Sequence, residues 1–201
     1  MTSQGNDVLI HTIEDVNTYY ANRLRQAMMA EVPTLAIDTV HIFSNTSILM
    51  DEALVHRLGL IVLKSDDPNL DESKEFTLNV KCTENNPTKN YINITAGMLV
   101  SSDPRIYPVH PETVILKLKY GEEINLKAFV KKGTGKEHAK WCPVSSISYN
   151  TQYLDDDKVI ITMAIEAVGS LSAKEILTQG LLLMNVPRQT LNNYKNTLIE
   201  N

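Results

Sequence analysis

The stretch from 31 to 61 concentrates side chains that can bind a metal or transfer protons. It reads EVPTLAIDTVHIFSNTSILMDEALVHRLGLI and contains Asp38, His41, Glu52 and His56. Glu52 and His56 are four residues apart, a spacing that places both on one face of a helix. The two-histidine metalloprotease helix needs His at both of these positions, and position 52 is Glu. Two interpretations stay open, a small metal-dependent hydrolase and a charged surface that another protein binds.

A second candidate site is the basic run from 131 to 141, KKGTGKEHAKW. Its glycines and Lys136 resemble a phosphate-binding loop, but that loop needs Gly, four residues, Gly, Lys and then Ser or Thr. Here the glycines are two apart and Glu137 follows the Lys, so the pattern fails. The run is typical of a basic loop, anchored by Trp141, that contacts protein or nucleic acid. The alternative is a solvated loop whose Trp141 caps a β module.

Composition narrows the class of protein. The chain has 201 residues, of which 43% are hydrophobic and 21% charged, and a net charge of −5. These values are typical of a globular protein, and the negative charge disfavours a dedicated nucleic-acid binder. Two cysteines, Cys82 and Cys142, are too few for a disulfide framework, so we expect free thiols and no cofactor. The opening stretch lacks the features of a signal peptide, and no apolar run reaches the ~18 residues of a membrane span, so we expect an intracellular protein.

The elements that must position these residues lie at the two ends of the chain. They are a helix over 15–31, a strand over 35–43, a helix over 51–58 that Gly59 caps, a strand over 158–167, and a helix over 172–184 that Ser170 or Ser172 caps. The first and last helices also carry apolar side chains off their main stripe, at Tyr19, Met29, Leu182 and Leu183. Such an excess is typical of a partner interface.

The middle of the chain has a different character. Short runs with alternating apolar residues, such as 76–82 and 124–130, are separated by turn signals. Polar, acidic connections at 64–73 and 155–157 flank these runs. The sequence therefore predicts an α+β protein. A discontinuous domain of 1–62 and 158–201 places helices on a small antiparallel sheet, and a mostly β domain of 63–157 is inserted into it.

The longest motif has a known counterpart. The stretch ANRLRQAMMAEVPTLAIDTVHIFSNTSILMDEALVHRLGLI resembles the signature of the alpha-like subunits of multisubunit RNA polymerases, which include bacterial alpha, its archaeal counterpart and the third-largest subunit of eukaryotic polymerase II. GTGKEHAKWCPVSSISY (133–149) resembles the inserted-domain loop of the eukaryotic and archaeal members, and AIEAVGSLSAKEIL (164–177) resembles the family's final strand and dimerization helix. Arg23, Gln26 and Val62 depart from the Ser, Arg and Pro of the family pattern. The cysteine cluster of many relatives is absent from the sequence, so we expect no metal.

The resemblance implies a role without catalysis in this chain. An alpha-like subunit forms a heterodimer with a small alpha-like partner, and the pair is the platform on which the second-largest catalytic subunit, and then the other polymerase subunits, assemble. Nucleotide addition takes place in the large subunits, and DNA is reached only through the complex. The resemblance leaves nucleus and cytoplasm open, and the compact chain fits a viral or otherwise reduced polymerase. A metal-dependent hydrolase and a free-standing nucleic-acid-binding module remain the alternatives.

The resemblance also implies a set of partner-binding residues. They are Asn22, Leu24, Arg25, Glu31, Pro33, Asp38, Asn45, Asp51, Glu52, His56, Arg57, Lys136, Glu137, His138, Trp141, Ile176, Leu177, Leu181 and Met184. Six of them are expected to fix register and specificity around an apolar core, namely Arg25, Glu31, Asp51, Glu52, His56 and Arg57. No catalytic residue is predicted.

Overall fold

The computed structural model describes residues 7–14, 17–65, 74–83, 91–153 and 159–184. These residues form three α-helices and eleven β-strands, and every strand pairing that is defined residue by residue is antiparallel. The predicted α+β class is confirmed. The predicted helical segment after Pro187 lies outside the described residues.

The chain divides into two compact units, which are described separately. The first unit contains the described residues up to Thr34 and from Thr134 onward, and the second runs from Leu35 to Gly133.

The first unit is a three-stranded sheet packed with two helices. Its strands are β1 (Val8–Glu14), β10 (Val144–Tyr153) and β11 (Val159–Ala167), in the order β1-β11-β10, and its helices are α1 (Thr18–Ala30) and α3 (Ala173–Leu183). The buried core comes from one face of the sheet and the facing sides of both helices. It consists of Ile13, Ala21, Leu24, Met28, Val144, Ile161, Met163, Ile165, Ala167, Ala173, Ile176, Leu177 and Leu181.

The local sequence explains where both of these helices begin. The Asn17 side chain accepts a hydrogen bond from the Tyr20 N–H at 3.0 Å and so caps α1. Ser172, one of the two predicted caps, begins α3 with a reciprocal capping box in which Glu175 accepts a bond from the Ser172 N–H at 2.8 Å. Residues 15 and 16, the predicted start of the first helix, lie outside the described residues.

The second unit is built mainly from strands. Its strands are β2 (Pro33–Asn45, which enters from the first unit), β3 (Leu63–Ser65), β4 (Glu75–Lys81), β5 (Tyr91–Thr95), β6 (Val100–Ser101), β7 (Ile106–Pro108), β8 (Val114–Lys119) and β9 (Glu123–Thr134). They form a four-stranded sheet of order β2-β9-β4-β6 and two pairs, β3-β7 and β5-β8. One helix, α2 (Asp51–Gly59), buries Leu54 and Leu58 in the same core as Phe76 and Leu126. Leu60, not Gly59 as predicted, is the C-terminal cap of α2.

The boundaries between the units differ from the prediction. They fall within β2 and β9, at 34/35 and 133/134, instead of at 62/63 and 157/158. The physical reason is strand pairing. β2 lies beside β9 in the sheet of the second unit, and β10 pairs with β11 from Val144 to Tyr153 in the sheet of the first. The polar connections that suggested the boundaries lie largely outside the described residues.

Candidate partner-binding site

The predicted partner-binding residues fall into two sets, one in each unit. The first unit holds Asn22, Leu24, Arg25, Glu31, Pro33, Lys136, Glu137, His138, Trp141, Ile176, Leu177, Leu181 and Met184. The second holds Asp38, Asn45, Asp51, Glu52, His56 and Arg57. We therefore describe each set within its own unit.

The charged residues of α1 are engaged within the first unit. The Arg25 guanidinium donates to the Asn22 side-chain oxygen from Nε at 3.3 Å and from Nη2 at 3.1 Å. Glu31 forms a two-pronged pair with Arg23, at 2.8 Å between Nη1 and Oε1 and 3.0 Å between Nη2 and Oε2. The hydrogen bond to Glu31 raises the pKa of Arg23. Arg23, which departs from the family pattern, is therefore the residue that fixes Glu31.

The basic loop folds onto the C-terminal end of α1. The Lys136 N–H donates to the Ala30 carbonyl at 2.9 Å, and Gly135 lies so close to α1 that a Cβ there would be 2.2 Å from the Met29 carbonyl oxygen. The Glu137 carboxylate accepts from the Thr134 N–H at 3.2 Å. This contact network makes the loop a fixed turn.

Trp141 ends that turn and anchors it inside the first unit. Its side chain is 4% exposed, the Lys140 ammonium lies 4.3 Å from its ring centroid, and its carbonyl accepts from the Thr34 hydroxyl at 2.7 Å. The interpretation of Trp141 as a cap of the β module is wrong, because the residue belongs to the other unit. Lys136, Glu137 and His138 stay exposed on the turn.

The apolar residues predicted on the helices separate into buried and exposed groups. Leu24, Ile176, Leu177 and Leu181 are buried in the core of the first unit, and Met184 is partly buried against it. Among the described residues of this unit, the exposed large apolar side chains are Val8, Ile10, Tyr19, Tyr153, Leu182 and Leu183. Three of these, Tyr19, Leu182 and Leu183, are off-stripe residues that the sequence singled out. The other off-stripe residue, Met29, is partly buried and accepts a hydrogen bond from Arg25.

Sequence reasoning missed Val8 and Ile10. Both lie on β1 and are exposed, whereas His11 and Ile13 of the same strand are buried. His11, a polar residue, thus points into the core. Residue types alone therefore do not show which face of β1 is buried. The pairing of β1 with β11, in which His11 lies opposite Met163, settles which face is buried.

In the second unit, a hydrogen-bonded turn places the start of α2. The Asn45 side-chain nitrogen donates to the Leu49 carbonyl at 2.9 Å and to the Asp51 carboxylate at 2.7 Å, and its oxygen accepts from the Ser47 hydroxyl at 2.7 Å. The Asn-Thr-Ser motif is therefore a structural turn between β2 and α2. It holds Asp51 at the first position of the helix, where a negative charge is favoured by the macrodipole.

An open cavity lies between β2 and α2. It has a volume of about 560 Å³ and is lined by Val40, Ile42, Asp51, Glu52, Val55 and His56. The structure thus brings together three residues of the predicted set, Asp51, Glu52 and His56. We refer to this cavity as the α2 groove.

The remaining charged residue of α2 points to a different part of the unit. Arg57 donates from Nε to the Ile115 carbonyl and from Nη2 to the Val114 carbonyl, both at 2.6 Å. Because these carbonyls belong to β8, Arg57 ties α2 to the β strands of its own unit. Asp38 is half-buried in β2.

The described residues offer no metal centre. No group of three or more His, Cys, Asp or Glu within the described ranges is arranged to hold a metal ion. His41, which the hydrolase interpretation required, packs its ring edge-on against Phe129 with 5.0 Å between ring centroids. Neither Cys82 nor Cys142 forms a disulfide within the described residues. In the part of the chain that the structure describes, no helix has the length and apolar character needed to cross a membrane.

Comparison with known proteins identifies the family. Residues 37–148, more than half of the chain, match the family described as the RNA polymerase Rpb3/RpoA insert domain. The chain belongs to the Rpb3/RpoA family of RNA polymerase subunits. The resemblance to alpha-like polymerase subunits is thereby confirmed.

Relatives of this Rpb3/RpoA family member come from eukaryotes and archaea. DNA-directed RNA polymerase II subunit rpb3 of Dictyostelium discoideum is 41% identical over 73% of this chain and 55% of its own length. DNA-directed RNA polymerase subunit Rpo3 of Aeropyrum pernix is 37% identical over 63% of this chain and 49% of its own. The human DNA-directed RNA polymerases I and III subunit RPAC1 is 35% identical over 78% and 54%. The chain spans about half the length of the curated relatives it matches.

The part that matches the Rpb3/RpoA insert domain contains two of the surfaces described above, the α2 groove and the basic turn. It begins in β2 and ends in β10, so it includes the α2 groove as well as the turn from Thr134 to Trp141. Two of the three motifs that suggested the family therefore each contain an ordered turn with defined hydrogen bonds.

Proposed function

We propose that this chain is a non-catalytic assembly-platform subunit of a DNA-directed RNA polymerase. It forms a heterodimer with a small alpha-like partner and docks the second-largest catalytic subunit. The observation that carries the proposal is its membership of the Rpb3/RpoA family, whose relatives in two domains of life are named as polymerase subunits.

The first unit supports the heterodimer part of the proposal. Tyr19 on α1 is 77% exposed, and Leu182 on α3 is 55% exposed, with Leu183 next to it. Contiguous exposed apolar surface marks partner interfaces, and we take these side chains as the candidate centre of one. The buried apolar residues of the predicted set then act indirectly, because they form the core that supports both helices. They are Leu24, Ile176, Leu177 and Leu181.

The charged and polar surfaces support the docking of a larger subunit. Lys136, Glu137 and His138 are exposed on a turn that is fixed at both ends, and Asp51, Glu52 and His56 line the α2 groove. The backbone that carries these side chains is held in place before binding, so association has to order only the side chains. Both surfaces are thus prepared for recognition.

The chemistry of the polymerase then belongs to other subunits. Nucleotide addition needs metal ions held in a catalytic site, and such a site is assigned here to the large subunits. Contact with DNA is assigned to the assembled complex, which acts inside the cell and not at a membrane. The nucleic-acid-binding and hydrolase alternatives gain no specific observation from the described residues.

The test is affinity purification of the tagged full chain from its native source, with quantitative mass spectrometry. We expect two very large subunits and a small alpha-like partner in equal amounts. Recovery of the chain alone, or as a homodimer, would refute the proposal.

A matched pair of variants on α3 sharpens that test. Leu182→Asp replaces an exposed apolar residue, and Lys174→Asp introduces the same side chain at another exposed position of the helix. Burying a leucine is worth about 1.5–3 kcal/mol, so Leu182→Asp should reduce recovery of the small partner by at least ~10-fold. Lys174→Asp should leave it unchanged. Equal recovery with both variants would exclude this face of α3 as the heterodimer interface.

A further inference from the structure

The α2 groove combines an apolar floor with an acidic rim. Its floor is formed by Val40 and Ile42 of β2 and Val55 of α2, and its rim by Asp51, Glu52 and His56. Two features distinguish this groove from an ordinary surface depression. It is large enough for a long side chain, and its carboxylates stand beside apolar walls.

The carboxylates of the rim differ in how they are held. Asp51 is fixed by the hydrogen bond from Asn45 at 2.7 Å, which uses one of its oxygens. Glu52 is exposed and makes no hydrogen bond or ion pair with any described residue. Arg57, the cation on the same helix, is bound to the carbonyls of β8 and does not neutralise the rim. The groove therefore presents negative charge that α2 itself leaves uncompensated.

The loop that leads into α2 adds apolar surface beside the groove. Ile48 is 83% exposed and Met50 is 74% exposed. Both belong to the turn that Asn45 and Ser47 hold in place, so their exposure is built into a fixed structure. A partner segment that enters the groove would meet these two side chains with its flanking residues.

We propose that the α2 groove binds an arginine side chain of another polymerase subunit, flanked by apolar residues. This inference rests on the proposed function. The aliphatic stem of an arginine suits the Val40–Ile42–Val55 floor, because long cationic side chains bury their methylene groups while the charged head stays in polar surroundings. The planar guanidinium donates in a fork, which matches a rim with two neighbouring carboxylates better than a single ammonium does. Nucleic acid and anionic lipid carry the wrong charge for this rim.

A photo-cross-link identifies the occupant directly. The tagged full chain carries p-benzoylphenylalanine in place of Ile48, and the complex is purified from the native source, irradiated and analysed by mass spectrometry. Ile48 is suitable because its side chain is exposed, belongs to the loop that leads into α2 and does not line the groove. We expect a cross-linked segment of another polymerase subunit in which an arginine is flanked by apolar residues. A lysine segment, an acidic segment, nucleic acid or no cross-link would overturn the proposal.

Charge variants test the role of the carboxylate. Glu52→Lys should reduce recovery of the cross-linked subunit about tenfold, and Glu52→Gln should reduce it less. Glu112→Lys, a charge reversal at another exposed position of the same unit, is the matched control and should have no effect. Thermal unfolding of the Glu52 variants should change only slightly, because Glu52 loses no hydrogen bond or ion pair to a described residue and gives up only its favourable position in the first turn of α2. Unchanged recovery with Glu52→Lys would overturn the proposal.

The same purification separates this inference from the proposed function. If the parent chain recovers no polymerase subunit, the proposed function fails. If the parent chain recovers the whole polymerase and Glu52→Lys recovers it equally well, only the assignment of the α2 groove fails. Recovery of the small alpha-like partner serves as the internal standard, because we assign that partner to the first unit.

Discussion

Gly135→Ala is a severe test of the described structure, because the change is a single methyl group. A Cβ at position 135 would lie 2.2 Å from the Met29 carbonyl oxygen and 3.3 Å from the Ala30 Cα. Real Cβ atoms essentially never come within 3.0 Å of another atom, so the turn must move away from α1. The obstacle is backbone and cannot rotate aside as a side chain would. The movement breaks the hydrogen bond from the Lys136 N–H to the Ala30 carbonyl.

The expected loss of stability follows from these contacts. The lost hydrogen bond costs about 1 kcal/mol, and overpacking a close contact costs about 1–3 kcal/mol. Restricting the unfolded chain by replacing Gly with Ala returns about 0.4–1 kcal/mol. We therefore expect the free energy of unfolding to fall by about 1–3.5 kcal/mol.

The chain contains its own reporter for this measurement. Trp141 is its single tryptophan, is buried, and ends the turn that Gly135 begins. Urea unfolding of the full chain, followed by tryptophan emission, should show a lower midpoint for Gly135→Ala. Lys136→Ala is the matched control, because the side chain is exposed and the backbone N–H is kept, and its effect should stay within ~0.5 kcal/mol. Equal midpoints for Gly135→Ala and the parent chain would refute the close approach of the turn to α1.

Three further changes have expected outcomes of their own. Arg57→Ala should destabilise the second unit by about 1.5–3 kcal/mol, because it removes two charge-assisted hydrogen bonds to carbonyls of β8, and amide exchange in β8 should speed up. In Gly180→Ala the new Cβ would lie 2.6 Å from the Met28 Cγ. In urea unfolding, the double variant Gly180→Ala/Met28→Ala should therefore be about 0.5–3 kcal/mol more stable than the sum of the two single effects. Burial lowers the pKa of His11. Below about pH 6.5 the unfolded chain therefore binds a proton at His11 more readily than the native chain does. The free energy of unfolding should fall as the pH drops below this value. His11→Gln should flatten that slope between pH 7.5 and 5.5.

Each of these expectations has a result that would contradict it. Exchange in β8 that is unaffected by Arg57→Ala would show that the helix is held by its apolar contacts alone. Additive effects at Gly180 and Met28 would mean that the two residues do not touch. An unchanged pH slope in His11→Gln would assign the slope to other groups.

The sequence predicted the helices and several strands because their signals are local. An apolar residue every three or four positions marks α1 and α3, and the Ser172 cap lies within three residues of its partner Glu175. The domain boundaries were not predictable in the same way. β2 belongs to the second unit because it lies beside β9, which is far along the chain. No local sequence pattern identifies a strand partner at that distance.

In the predicted site too, contacts between residues close in sequence were predictable and contacts set by tertiary structure were not. The spacing of Glu52 and His56 correctly placed both residues on one side of α2, where they line the groove. Glu31 was expected to act alongside Arg25, but its partner is Arg23, a residue that the family pattern does not contain. Side-chain pairing across the end of a helix depends on where the chain turns, and the turn at Glu31 is set by tertiary packing.

The charged stretch from 31 to 61 can now be divided by what each charge contacts. Glu31 is paired with Arg23, Asp51 is held by Asn45, and Arg57 is bound to β8, so these side chains already have partners that fix the structure. Glu52 is left without one among the described residues, and it lies at the rim of a groove with an apolar floor. A charge that folding leaves uncompensated beside apolar surface gains most from a partner, because binding then supplies both the counter-charge and the burial. For this reason we place the specificity of the stretch at Glu52, and regard its neighbours as the framework that holds the groove in shape.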